Sequence, residues 1–314
     1  MKKYFFIINP GSNHGKSRKS LKKITEFMAL TNIPFEYKET TTLDHAYELS
    51  RKANLEGHEV IVAVGGDGTI NKVINGFYDS FGKRLSKAVL GVIHTGTSPD
   101  FCKSYGIPSD LKKALDTLLK VSKKQISIAK IEYLKADEKK AVYFACCASL
   151  GLGAHVAAYA NSGVRKYFGD TLGTLISIIR SLAVYRSDDL VLVTDGKESE
   201  VKNNCITFIG KTTYIASGLK ISNDLTADDR RLFVVSIRNV NLMNFIPVLN
   251  TLYSGKPVIP GDHISFEYAG IIQIKSLKSN SKIELDGDPL NAMPPCTVSV
   301  AEDNLEVITD EDEL

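Results

Sequence analysis

No apolar run in the chain approaches the roughly 18 residues that a membrane-spanning helix needs, and the sequence has neither internal repeats nor low-complexity stretches. Cysteine pairs are missing too. The five cysteines, at 102, 146, 147, 205 and 296, form no Cys-x-x-Cys, and none stands at metal-site spacing from a histidine. An odd number in a chain of this length argues for reduced, buried thiols in a cytosolic protein and against a disulfide frame. A strong charge of one sign is also absent. The formal net charge of +3 is too small to indicate nucleic acid as a partner, though it leaves room for a local basic patch facing an anionic ligand. Met1-Lys2-Lys3 followed by apolar Tyr4 to Ile8 begins like a signal peptide, but the run stops at Asn9-Pro10-Gly11, short of the ~7–15 residues of an h-region. A first β-strand is the expected structure there, and the acidic end from Asp310 to Leu314 reads as a solvated tail.

What is present is an ordinary globular balance, 43% hydrophobic and 24% charged over 314 residues, enough for two domains. Up to about residue 125 the pattern alternates strand, loop and helix. Tyr4 to Ile8 is an apolar strand. Leu21, Ile24, Phe27 and Met28 then recur at helical spacing. Ile33, Phe35 and Tyr37 alternate, and Asp44 is expected to cap a helix carrying Ala46, Leu49 and Ala53. Val60 to Val64 and Leu90 to Ile93 are short continuous apolar runs, as strands buried on both faces are. Ser109 is expected to cap a helix carrying Leu111, Leu115 and Leu118. This order predicts an α/β domain with a mostly parallel sheet over residues 1–125. Thereafter strands dominate, at Ile126 to Tyr133, Ala141 to Ser149, Leu190 to Thr194, Asn204 to Ile209, Leu232 to Ile237, Ile271 to Ile274, Lys282 to Leu285 and Thr297 to Val300, with one helix from about Thr171 to Val184. A β-rich, sandwich-like domain over 126–295 is the expectation, with a tail of about 296–314 packing back on the first domain.

The most informative segment is Gly65-Gly66-Asp67-Gly68-Thr69, set between the Val60 to Val64 strand and a helix. Glycines at a strand-to-helix turn let backbone N–H groups reach a phosphate, and the helix N-terminus adds partial positive charge. Asp67 is out of place in a pure anion site; a carboxylate beside phosphates makes sense beside a metal, a ribose or a reacting hydroxyl. The string is neither Walker A nor the Gly-x-Gly-x-x-Gly dinucleotide fingerprint.

It resembles the loop of the diacylglycerol, sphingosine and ceramide kinase superfamily, which is shared with NAD kinases and phosphofructokinases. Three further segments narrow the resemblance to the lipid kinases. Asn9-Pro10-Gly11-Ser12-Asn13-His14-Gly15-Lys16 is similar to the family's first nucleotide loop. Gly96-Thr97-Ser98-Pro99-Asp100-Phe101 is similar to its second, and Asp286-Gly287-Asp288 to its Asp-Gly-Glu. The resemblance implies that ATP with Mg²⁺ lies in a cleft between the domains. Gly65, Gly66, Asp67, Gly68, Thr69, Asn9, Pro10, Ser12, Lys16, Gly96, Thr97 and Asp100 would form the nucleotide site. It implies Asp286 as general base toward a lipid hydroxyl, Asp288 in support or on Mg²⁺, and Asp67 as the competing base. Asp224, Asp228 and Asp229 stand where the family's Asp-Asp-Gly loop holds a structural Mg²⁺, although Arg230 replaces the Gly and offers internal neutralisation instead. Arg165, Lys166 and Gly169 resemble a Lys-x-x-Gly segment near the substrate entrance, where they would either meet an anionic membrane surface or form a solvated basic face.

The implied activity is an ATP-dependent lipid kinase making phosphatidic acid from diacylglycerol, with cytoplasmic placement, peripheral contact at the inner face of the membrane, and room for a homodimer. A soluble NAD kinase and a catalytically weak nucleotide or lipid sensor are the alternatives. Pro99 for Asn in the second loop and Arg230 for Gly in the acidic loop are the departures that favour the sensor; His94 stands for a usual Pro. His94 is also a candidate pH switch, although a structural histidine is the plainer expectation.

Overall fold

The computed structural model describes residues 3–12, 16–120, 122–159, 170–277, 282–292 and 294–310. The chain packs as two compact units, Met1–Ile128 with Ala301–Leu314, and Ala129–Val300.

The first unit runs β1 (Tyr4–Ile8), α1 (Lys16–Leu30), β2 (Phe35–Glu39), α2 (Leu43–Leu55), β3 (Val60–Gly65), α3 (Asp67–Asn75), β4 (Val89–His94), α4 (Asp100–Tyr105), α5 (Leu111–Leu119) and β5 (Lys123–Ile126). The second unit supplies β6 (Ala129–Lys135), β7 (Glu138–Phe144), β8 (Cys147–Gly151), α6 (Leu152–Tyr159), α7 (Asp170–Val184), β9 (Asp188–Thr194), β10 (Lys197–Gly210), β11 (Tyr214–Ile215), β12 (Leu219–Lys220), β13 (Leu232–Arg238), α8 (Leu242–Ser254) and β14 (Ile264–Ala269). It closes with β15 (Ile272–Leu277), β16 (Lys282–Leu285), β17 (Asp288–Leu290) and β18 (Cys296–Val300), before β19 (Leu305–Ile308) returns to the first unit.

The first sheet has the order β2-β1-β3-β4-β19-β5. Its strands from β2 through β19 pair in parallel, and only β5 runs antiparallel, against β19. Every residue of β1 and β3 is buried, as two-sided coverage by helices demands, whereas the edge strand β2 is largely exposed. Tyr4, Phe6, Ile8, Val60, Val62 and Val64 meet Ile24 and Met28 of α1 and Leu115 and Leu118 of α5 in one core. Each such side chain contributes roughly 1.5–3 kcal/mol on burial. The loops after β1, β3 and β4 therefore leave one rigid sheet edge together.

The second unit is an antiparallel assembly ordered β17-β16-β8-β10-β9-β15-β18-β6-β7, with β13 on β10 and β14 on β13. The long β10 shifts register between Val201 and Asn204, with Asn203 left-handed at φ 48°, so its first half pairs with β9 and its second half with β8 and β13.

Several expectations are corrected. Thr42 caps α2, accepting from the His45 N–H, and Asp44 sits inside the first turn. Asp110, not Ser109, caps α5, accepting from the Lys113 N–H. The single strand expected over 126–133 is two strands in two sheets, β5 and β6, because the chain passes from the first unit to the second after Ile128. The strand expected over 141–149 is broken at Ala145-Cys146 into β7 and β8. The returning segment starts at Ala301 and not near 296, since Cys296–Val300 pairs with β6 and β15. Helix α8, capped by Asn241, was not foreseen; Pro247 in its interior hides it from a propensity reading. Arg165, Lys166 and Gly169 lie outside the described residues.

Candidate active site

Two glycine loops meet in the first unit. Gly65 ends β3, Gly66 caps α3 in an extended conformation, and β4 runs beside β3 with Gly65 opposite His94. A Cβ on Gly96 would fall 2.5 Å from the Gly66 Cα, so the two backbones abut with no room for a side chain between them. A Cβ on Gly65 would likewise fall 2.5 Å from the Thr69 side chain. None of these glycines has a positive φ; close approach, not a left-handed turn, is what requires them. Helix geometry leaves the first N–H groups of α3, that of Gly68 among them, without partners inside the helix, and a Cβ on Gly68 would meet, among the described residues, the Leu43 side chain at 3.9 Å. A bare main-chain surface at a helix N-terminus is an anion site.

The first loop is tied to this surface. Asn9 donates from Nδ2 to Thr69 Oγ1 at 2.9 Å, accepts from the Gly11 N–H, and donates its own N–H to the Val64 carbonyl. Ser12 Oγ lies near Gly66, where an added Cβ would be 3.8 Å away. Buried Ser17 in the first turns of α1 shares a 2.5 Å hydrogen bond with Thr95. Pro10 is half-buried in the turn, and Lys16 opens α1. Thr69 is buried and Thr97 exposed.

Asp67 joins the loops. Its Oδ2 accepts the Asp100 N–H at 3.0 Å, so it caps α4, whose own N-cap, Pro99, has no side-chain hydrogen bond to give. Asp100 itself is buried, holding the second loop in place through its backbone. His94 Nε2 stands 3.6 Å from Asp67 Oδ1. Burial pushes the His94 imidazole down to about 4, against a Ser98 backbone hydrogen bond that raises it. His94 is therefore neutral near pH 7, which removes it as a pH switch.

In the second unit, Asp286 occupies the β16–β17 turn with φ 50°, followed by Gly287 with φ 89°. Left-handed geometry at a non-glycine residue costs energy, and Asp tolerates it better than most. The carboxylate is ringed by main-chain donors at the β7–β8 break: Ala145 N–H to Oδ2 at 2.5 Å, and Cys146 and Cys147 N–H to Oδ1 at 2.9 Å each. Desolvation nevertheless raises the Asp286 carboxyl to about 7; these three hydrogen bonds oppose the rise and the Glu284 charge adds to it. Two donors fill the Oδ1 lone pairs, which leaves Oδ2 as the atom with capacity to take a proton. A carboxyl half-ionised near neutrality is matched to acid–base work.

Comparison with known proteins agrees with both units. Residues 3–131 match the diacylglycerol kinase catalytic domain, and residues 146–309 match the YegS C-terminal NAD kinase beta sandwich-like domain. The chain belongs to the diacylglycerol kinase family.

The diacylglycerol kinase of Bacillus subtilis (strain 168) is 25% identical over 94% of this family member and 92% of its own length. That of Staphylococcus carnosus (strain TM300) is 24% identical over 98% and 94%. Among solved structures, a diacylglycerol kinase from Bacillus anthracis str. Sterne superposes with a TM-score of 0.72 at 18% identity, covering 100% of this chain and 98% of the other. Yeast NADH kinase complexed with NADH gives 0.57 at 12% identity, covering 99% and 84%. The last two likenesses concern the fold.

The acidic loop departs from the expected metal site of this kinase family. Asp229 is taken by Arg231, which donates from Nε and Nη2, the latter at 2.6 Å, and holds the carboxyl below its ordinary value. Asp228 accepts from Thr226 Oγ1, and the Asp224 N–H donates to the Tyr268 hydroxyl. Buried Lys211 sends its ammonium to the backbone carbonyls of Thr226 and Asp229. Two internal cations already serve these oxygens, and among the described residues no three His, Cys, Asp or Glu side chains converge as ion ligands. Asp224, Asp228 and Asp229 do not fit a structural Mg²⁺. The neutralising arginine is Arg231, one residue beyond the Arg230 expected from sequence.

Sequence reasoning missed Ser17, Thr95, Lys211, Ser149 and Glu284. The one signal available was nearness in sequence, Glu284 standing two residues before Asp286.

Proposed function

We propose that this kinase transfers the γ-phosphoryl group of ATP to the hydroxyl of a lipid alcohol, diacylglycerol giving phosphatidic acid. The observation that carries the reading is the abutment of Gly66 and Gly96, which strips side chains from a main-chain surface at the start of α3. The N–H groups there suit the β- and γ-phosphates, with Thr69, Asn9 and Ser12 around them, and any Mg²⁺ on those phosphates is part of the nucleotide substrate. Phosphoryl transfer asks for positioning and charge stabilisation more than for covalent help.

In the proposed step the acceptor hydroxyl gives its proton to Asp286 Oδ2. The acceptor oxygen forms a bond to Pγ, the bond from Pγ to the bridging oxygen breaks, and ADP leaves with that electron pair. Asp288, on β17 beside the turn, supports Asp286. Asp67, engaged with the Asp100 N–H, holds the two nucleotide loops in register. The acceptor's tails belong in a bilayer, so we place the reaction at a membrane surface; no helix among the described residues is long and apolar enough to span one.

The test is transfer of label from γ-labelled ATP to diacylglycerol, sphingosine, ceramide and NAD, each offered separately, the lipids in mixed micelles. Labelled phosphatidic acid is the expected product. NADP formation would replace the reading with a nucleotide kinase. Saturable nucleotide binding without labelling of any acceptor would replace it with a sensor.

A further inference from the structure

Glu284 is a buried carboxylate, 7% exposed, on β16 two residues before Asp286 of the turn. One of its oxygens, Oε2, accepts from the Ser149 hydroxyl at 2.8 Å across the β16–β8 pair, where Glu284 and Ser149 stand opposite each other. The other, Oε1, accepts the Gly287 N–H at 2.6 Å. The same strand pair carries the Asp286 N–H to the Cys147 carbonyl at 3.0 Å. Glu284 thus grips the turn from within, one residue past the left-handed Asp286, while Ser149 fixes Glu284 to the strand that follows the Ala145 to Cys147 donors. A buried carboxylate is expensive to keep, and nothing in β-sheet packing at this position calls for one.

We propose that Glu284, anchored by Ser149, is a positioning residue that holds the Asp286 turn in its left-handed form and keeps a negative charge beside the Asp286 carboxylate. This rests on Asp286 acting as the base. The charge has a direction: a neighbouring carboxylate disfavours ionisation of Asp286 and so makes it the stronger proton acceptor. Other titratable groups on the packed elements are the Cys146 and Cys147 thiols in the donor turn, Asp288 on β17, Lys211, whose N–H bonds the Cys146 carbonyl, and His155 and Tyr159 on α6, which packs on β8, β16 and β17.

The test compares Glu284→Ala, Glu284→Gln, Ser149→Ala and Asp286→Asn in the full chain, reading kcat, KM for ATP and the pH profile. Glu284→Ala is expected to lower kcat by roughly tenfold or more, with KM for ATP within twofold. Glu284→Gln keeps an acceptor for Gly287 and loses the charge. It is expected to recover most of the turnover that Ala loses, while its acid limb moves to lower pH by roughly half a unit or more. Ser149→Ala carries the test if Glu284→Ala fails to fold, with a smaller loss in kcat of the same kind. If Asp286→Asn is inactive while Glu284→Gln keeps the wild-type acid limb and neither alanine variant lowers kcat, the role of Glu284 is overturned and Asp286 as base stands. If Asp286→Asn retains full turnover, the base reading fails and Glu284 loses its role with it.

Discussion

Asp67 and Asp286 are the two carboxylates that most resemble catalysts, and each accepts from the main chain, Asp67 through one oxygen and Asp286 through both, yet they end up in opposite conditions. Asp67 starts a helix and reaches across to cap a second one through the Asp100 N–H, beside a histidine that burial keeps neutral. Asp286 accepts three N–H groups, which should make it the stronger acid of the two, and still its carboxyl is raised to about 7. Desolvation wins over hydrogen bonding there, helped by Glu284. A count of donors does not tell which carboxylate binds a proton more readily; the surroundings do. Asp67 sits where its charge is useful for tying loops, and Asp286 sits where its charge is costly and a proton is welcome.

Replacing each aspartate in turn breaks or sharpens that contrast. Asp286→Asn should lower turnover by at least roughly 10²-fold, the scale of a lost general base, while the protein still binds a fluorescent ATP analogue with unchanged affinity. Asp67→Asn exchanges a charge-assisted cap for a neutral one and should cost about 1–2 kcal/mol of stability, read from denaturant melts. Its turnover loss should be the smaller of the two. Equal losses would move the base to Asp67.

The loop joint comes next in size. Gly96→Ala forces a Cβ against the Gly66 backbone, an overpacking of about 1–3 kcal/mol. Titration with ATP should show weaker binding, with stability reduced by a similar amount and Asp286 chemistry untouched at saturating nucleotide. Unchanged affinity would mean that the bare surface is not the nucleotide site.

The pH response separates activity from stability at Asp286 alone. Its folded pKa is raised from 3.8 to about 7, so folding takes up a proton between those values. The stability that this group contributes is full below 3.8 and lost as pH rises through about 7. Turnover must run the other way, rising with pH up to about 7 and flattening above it, because only the ionised form accepts a proton. Melts and initial rates from pH 5 to about 9 should therefore show opposite trends below neutrality, and Asp286→Asn should flatten the stability trend. An enzyme equally active at pH 5 and 7 would exclude Asp286.

Much of the first unit could be read before any coordinates. Continuous apolar runs identify β1, β3 and β4, because a strand covered on both faces must be apolar throughout, and a five-residue glycine string at a strand-to-helix turn has few uses. The second unit was legible only in outline. Antiparallel strands give weak signals, so the break at Ala145-Cys146 was invisible; the N–H groups of Ala145, Cys146 and Cys147 there are met by Asp286, 139 to 141 residues later. Nothing local in Phe144 to Cys147 announces that. Caps were misplaced by one or two residues where neighbouring Thr42 and Asp44, or Ser109 and Asp110, compete for the same role.

The acidic loop gives the smallest effect and the cleanest negative. Family resemblance placed a cation on Asp224, Asp228 and Asp229, whereas Lys211 and Arg231 already meet the carbonyls and the carboxylate there. An ion arriving at this loop would have to displace a lysine ammonium from a buried position and strip Arg231 from a two-pronged contact, and it would find too few carboxylates converging to repay its own dehydration. Mg²⁺ or a chelator, added without nucleotide, should leave the melting temperature where it was. Arg231→Ala should lower it only slightly, since the Arg231 side chain is half open to water and salt screens the pair. A saturable rise in melting temperature with Mg²⁺ alone, absent from the Asp229→Asn variant, would put the ion back in the loop and require Lys211 to swing out of it.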